Sequence, residues 1–218
     1  MNKNNQESNN IYLMFIALTA ALGGFLFGYD TAVISGTIGF VKSKFALDAV
    51  MEGWFVSSAL VGCIAGVSFA GELSDRLGRK KALVSSALLF SISAIGCAIS
   101  SSQTELIIYR IVGGIGIGIA SMLSPLYISE VSPAKVRGRM VALYQLAIAI
   151  GILFAYFTNA WLLEYSLNHE IQNSLLNMIF IKEVWRAMFG SAILPAMLFF
   201  IIMFFIPESP RWLAAKGM

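Results

Sequence analysis

The chain has 218 residues, of which 58% are hydrophobic and only 12% charged; its mean hydropathy is +0.77 and its net charge +3. A soluble domain of this length needs far more polar surface, so that class is excluded, as is a basic, aromatic-laced nucleic-acid surface. One His and two Cys leave no metal-ligand spacing, and no Ser/His set or pair of carboxylates within a span points to an enzyme.

Residues 1–10, MNKNNQESNN, are polar and predict a disordered cytoplasmic tail. The apolar run that follows continues through Phe25, Leu26 and Phe27, longer than the core of a cleaved signal peptide. Runs of about 20 apolar residues are long enough to cross a ~30 Å hydrocarbon layer as helices. Six are present, at about 11–37, 54–73, 82–100, 106–128, 136–163 and 185–206. The predicted fold class is therefore all-α, a six-helix transmembrane bundle over 11–206. Residues 207–218 would begin a cytoplasmic linker.

Between the second and third runs lies GELSDRLGRKK, residues 71–81, which carries Glu72, Asp75, Arg76, Arg79, Lys80 and Lys81. Such a density of charge cannot sit in hydrocarbon, so it predicts a tight loop at a water-facing surface. Its basic excess assigns that surface to the cytoplasm. With this anchor both termini are cytoplasmic, ten Lys and Arg fall inside, four fall outside, and Arg110 lies within a span. SEVSPAKVRGR, residues 129–139, forms a second basic cytoplasmic connection. The one sizeable outer loop, 164–183, holds His169, which reads as a solvated residue. Cys63 and Cys97 read as small packing residues inside spans. Six spans also permit two three-helix units related by inverted topology.

The pairs Gly24/Gly28, Gly62/Gly66 and Gly114/Gly118 are spaced i, i+4, and their default role is close helix packing. GGIGIGIA at 113–120 misses the spacing of a dinucleotide fingerprint and follows no strand, so no nucleotide site is assigned.

Two charges inside spans carry chemistry. Asp30 lies about nineteen residues beyond the cytoplasmic start of the first span, ~28 Å along the helix. Arg110 lies about four residues past the outer start of the fourth, so the two come to similar depths. An unpaired ion costs ~2.5–3.5 kcal/mol or more in a bilayer, and each is the other's one opposite charge within the spans. They form either a static ion pair or a proton switch, paired when the carboxylate is ionised and released when it is protonated. On the fifth span, Gln145, Ile152, Tyr156 and Asn159 share one helix face, where Gln145 serves either as interhelical glue or as a contact to adjacent sugar hydroxyls.

GGFLFGYD at 23–30, G-x-x-x-D-R-x-G-R-K-K at 71–81, YRIVGG at 109–114, PLYISEVSPAKVRG at 125–138 and PESPRWL at 207–213 together resemble the N-terminal half of a major facilitator superfamily sugar porter. FGYDTAVISGT and GIASMLSP are similar to stretches of bacterial xylose and proton symporters. The resemblance implies a multi-pass protein of a bacterial inner membrane that carries a monosaccharide, pentose or hexose, with a proton and without a cofactor. Asp30 would accept the proton, with Arg110 as its partner. Phe27, Gln145, Ile152 and Asn159 would lie at the sugar. Ile152 stands where xylose symporters have a second glutamine. Gly71, Asp75, Arg76, Gly78, Arg79, Glu130 and Arg137 would form a cytoplasmic latch.

Carriers of this family have twelve spans. The resemblance therefore implies that the expected partners, besides sugar, proton and lipid, include a C-terminal bundle or a second copy of the chain. A facilitative uniporter and a sugar-binding or sensing half are the alternatives at this stage.

Overall fold

A chain in hydrocarbon must pair its backbone groups within itself, and the computed structural model does so with helices joined by short connections. It describes residues 3–169 and 172–217, with side chains from residue 13. In chain order the α-helices are α1 Lys3–Phe45, α2 Ala49–Leu77, α3 Arg79–Ile99, α4 Gln103–Val131, α5 Arg137–Asn168, α6 Ser174–Asn177, α7 Val184–Ser191, α8 Ile193–Met203 and α9 Pro210–Ala215, with a π-helical turn at Met178–Lys182 between α6 and α7. Among the described residues six segments are long and apolar enough to span a bilayer: α1 from Leu13, α2, α3, α4, α5, and α7 with α8.

Four details depart from the sequence expectation. Helix α1 begins at Lys3, inside the segment 1–10 expected to be disordered, of which residues 1 and 2 lie outside the described residues. A helix nucleated by the apolar run propagates at little cost into its polar flank. The charged stretch 71–81 is not a tight loop but two helix ends separated by Gly78 alone. Gly78 turns the chain at φ +95°, where a side chain is strained, and so α2 and α3 carry their charges on helical turns.

The last span is broken at Ala192 rather than continuous, because Pro195 has no N–H to give to the carbonyl of Ser191. The outer connection is also shorter than 164–183. Helix α5 runs on to Asn168, where its final turns stack Tyr165 on His169, and residues 170 and 171 lie outside the described residues.

Glycine sets how the helices meet. A Cβ on Gly28 would lie 2.1 Å from the Ile148 carbonyl oxygen, and one on Gly151 2.2 Å from that of Phe25, so α1 and α5 touch backbone to backbone. Helices α2 and α4 do the same. A Cβ on Gly62 would lie 2.1 Å from the Ile111 oxygen, and one on Gly114 2.1 Å from the Ala59 oxygen. Exchanging α1 with α4, and α2 with α5, maps one pair onto the other, as two inverted three-helix units require. The glycine pairs thus do the packing work expected of them. A continuous core holds Phe55, Leu123, Tyr127, Trp185 and Phe199, all buried.

Candidate functional site

Close packing of α1 on α5 and of α2 on α4 turns Asp30 and Arg110 toward each other. Arg110 Nη1 stands 3.7 Å from Asp30 Oδ1, an ion-pair contact beyond hydrogen-bonding distance. The burial of the two is unequal: the Arg110 side chain is 3% exposed and that of Asp30 18%. Arg110 Nε and Nη1 have no hydrogen-bond partner. Its guanidinium lies instead over the rings of Phe55 and Phe189. A buried cation held this loosely keeps unspent donors for a second ligand, for water or for a closer approach of the carboxylate.

The remaining candidates divide. Asn159 is buried and donates from Nδ2 to the Val33 carbonyl oxygen at 3.2 Å, while its Oδ1 has no partner. It also closes on Gly36, where a Cβ would meet Asn159 Nδ2 at 2.4 Å. Gln145 and Tyr156 are exposed, Ile152 and Phe27 half-buried. The shared face of α5 is therefore open at Gln145 and Tyr156 and sealed against α1 at Asn159.

At the cytoplasmic end a second cluster has a different character. Arg79 donates from Nε and Nη2 to the two Glu130 oxygens, each at 3.2 Å, a forked pair. Its Nη1 donates to Asp75 Oδ1 at 2.9 Å and to the Ser74 carbonyl at 3.2 Å. Ser209 donates its hydroxyl to Glu130 as well. Glu208 accepts from the backbone N–H of Lys80 at 3.1 Å, supplying the cap that Gly78 cannot give α3. Trp212 Nε1 donates to the Asp75 carbonyl at 3.1 Å, and the Tyr127 hydroxyl to that of Pro207 at 2.7 Å. Residues 207–213 are thereby strapped across the ends of α2, α3 and α4.

Of the seven predicted latch residues, Asp75, Arg79 and Glu130 converge, and Gly78 makes the turn that lets them. Arg76 lies apart, paired with Glu72 on the exposed face of α2. Arg137 donates to the Ser132 carbonyl at 3.4 Å rather than to a carboxylate, and its Nε is buried without a partner. Gly71 has only the Met122 methyl nearby.

Sequence reasoning assigned no role to Glu208, Ser209 or Trp212, although PESPRWL held all three. It also missed an outer staple. Glu183 bridges Lys44 of α1 and Arg186 of α7, and Arg186 is buried over Trp185 and donates to the Ala98 carbonyl at 3.0 Å. Burial pushes the Glu183 carboxyl upward, but the hydrogen bonds from Lys44 and Arg186 outweigh it and hold the group below its ordinary value.

Residues 16–218 match the family model described as "Sugar (and other) transporter". The arabinose-proton symporter of Bacillus subtilis (strain 168) is 45% identical over 94% of this chain and 42% of its own length. The D-xylose-proton symporter of Escherichia coli (strain K12) is 41% identical over 98% of this chain and 47% of its own. Among solved structures, the major facilitator proton:xylose symporter XylE bound to 6-bromo-6-deoxy-D-glucose superposes with a TM-score of 0.85 at 41% identity. That likeness covers 96% of this chain and 48% of the other. The chain thus spans about half the length of the relatives it matches.

Proposed function

The chain belongs to the sugar transporter family of the major facilitator superfamily, and on that premise we propose that it is the N-terminal bundle of a carrier that brings in a monosaccharide together with a proton. The observation that carries this reading is the Asp30–Arg110 contact: a carboxylate and a guanidinium on different helices, close enough to attract and too far apart to hydrogen-bond. An ion pair built only to hold two helices would saturate its donors, as Arg79 does.

The cycle follows from the charges. With Asp30 ionised, Coulomb attraction holds it to Arg110 across α1 and α4. Sugar enters from the outer side, and the open face of α5 offers it Gln145, with Phe27 of α1 as a second contact. Protonation of Asp30 removes the attraction and frees α1 from α4. The bundle then rocks against its partner bundle around the sugar, and the Arg79–Glu130 cluster keeps the cytoplasmic helix ends together as one body. Each proton moved inward by 100 mV supplies ~2.3 kcal/mol, enough for roughly fiftyfold accumulation.

Adding arabinose, xylose or glucose to lightly buffered cells that carry the full transporter tests this. Alkalinisation of the medium on addition of a transported sugar is expected. Uptake with no proton movement would point to a facilitative uniporter, and sugar binding with no uptake to a sensing half.

A further inference from the structure

Arg110 is gripped by two aromatic rings that the proposed cycle does not use. Its guanidinium carbon lies 5.5 Å from the centre of the Phe55 ring and 5.7 Å from that of Phe189. The rings meet edge to face, with centroids 6.5 Å apart at 83°. Both are buried, and they come from different helices, Phe55 from α2 and Phe189 from α7. A cation within ~6 Å of a ring face is drawn to its electron-rich quadrupole, most strongly where water is excluded. Arg110 is 4% exposed, two of its nitrogens lack hydrogen-bond partners, and Asp30 stands at 3.7 Å. A guanidinium so buried needs compensation, and the rings supply a share that would otherwise fall to the carboxylate.

We propose that Phe55 and Phe189 are positioning residues that hold Arg110 in place when Asp30 is neutralised. The inference rests on the proton-coupling reading above. With the rings present, Arg110 does not depend wholly on Asp30, so protonating the carboxyl does not strand a bare buried cation. Without them Asp30 is the chief compensation left to Arg110, and neutralising the carboxyl leaves the guanidinium unseated.

The other titratable groups facing the pair are few. Cys63 of α2 and Cys97 of α3 lie within electrostatic reach of Asp30, and Cys97 of Arg110 as well. Tyr144 of α5 lies near Cys63, and Tyr29 of α1 is tied by its hydroxyl to Ser191 at 2.6 Å. Arg186 of α7, one turn before Phe189, is committed to Glu183 and Ala98. The remaining charges of α2, α3 and α5 sit toward the helix ends.

The test measures thermal unfolding in lipid of Phe55→Leu and Phe189→Leu, which remove the ring and keep an apolar side chain, each alone and combined with Asp30→Asn, which fixes the neutral carboxyl. Each leucine variant is expected to lower the melting temperature more in the Asp30→Asn background than in wild type, because the rings matter most when the carboxylate is gone. Phe55→Tyr, which keeps a ring, is expected to add no such excess. Two variants on separate helices guard against one that fails to fold. Losses that are merely additive in both leucine variants overturn the proposal, as does an equal excess in Phe55→Tyr, which would make the effect one of packing. The coupling reading fails separately: sugar uptake with no proton movement while the excess loss persists sinks proton symport and leaves the aromatic clamp standing.

Discussion

Two arginine–carboxylate clusters, made of the same chemical groups, stand in this bundle in opposite states of completion. At the cytoplasmic end every Arg79 nitrogen has a partner, Glu130 takes a fork from Arg79 and a hydroxyl from Ser209, and the strap of residues 207–213 lies over the whole. Between α1 and α4 Arg110 meets Asp30 through one contact of 3.7 Å and leaves two nitrogens without hydrogen bonds. Both pairs are largely buried, with side-chain exposures of 13% for Arg79 and 6% for Glu130 against 3% for Arg110 and 18% for Asp30, so burial alone does not account for the difference in hydrogen bonding. On the function proposed above, the sparse pair is the one arranged to let go and the filled one to hold.

Breaking the filled cluster should therefore damage the scaffold most. Glu130→Ala strands Arg79, whose side chain is 13% exposed, and removes the anchor of Ser209. A loss of about 3–5 kcal/mol in unfolding free energy is expected. Hydrogen exchange at residues 207–213 should rise with it, and protection unchanged from wild type would mean that the strap does not depend on this carboxylate.

The outer staple extends the comparison to a second filled cluster. The folded-state value of Glu183 is depressed, so its stabilising share is complete above the ordinary carboxylate value of 4.5 and is lost as pH falls through the lower folded value. Thermal unfolding of wild type and Glu183→Gln should accordingly differ at neutral pH and converge in strong acid, by about 1–3 kcal/mol. Curves that stay parallel down to acid would remove the ionic account.

The smallest expected effect is at the turn. Glu208→Ala removes the carboxylate that caps α3 and costs about 0.5–2 kcal/mol, visible as a lower melting temperature without loss of helix content.

Much of this is legible in the amino-acid sequence. Hydropathy and charge bias located the spans, because the bilayer admits so few alternatives. The meeting of Asp30 and Arg110 followed from depth alone, since two lone opposite charges at one level have little else to pair with. The face shared by Gln145 and Asn159 was legible too, but not that Asn159 would bond Val33, because helix period says nothing about which neighbour lies across the gap.

The strap was hidden for a related reason. Glu208 caps a helix whose first turn lies 128 residues earlier in the chain, and no local pattern records so distant a contact. The stretch 71–81 misled because dense charge reads as loop, whereas a helix leaving the membrane carries charge as readily as a loop does. Phe55 and Phe189 gave no signal among 16 phenylalanines until Arg110 was seen between them.

The central claim is that Asp30 lets go of Arg110 when it takes up a proton, and Asp30→Asn tests it most directly by fixing the neutral state. In a carrier whose N-terminal half is this chain, sugar accumulation driven by 100 mV should fall from roughly fiftyfold to about onefold. Exchange of labelled for unlabelled sugar should persist. Accumulation undiminished in Asp30→Asn would contradict the account and leave the pair a structural contact between α1 and α4.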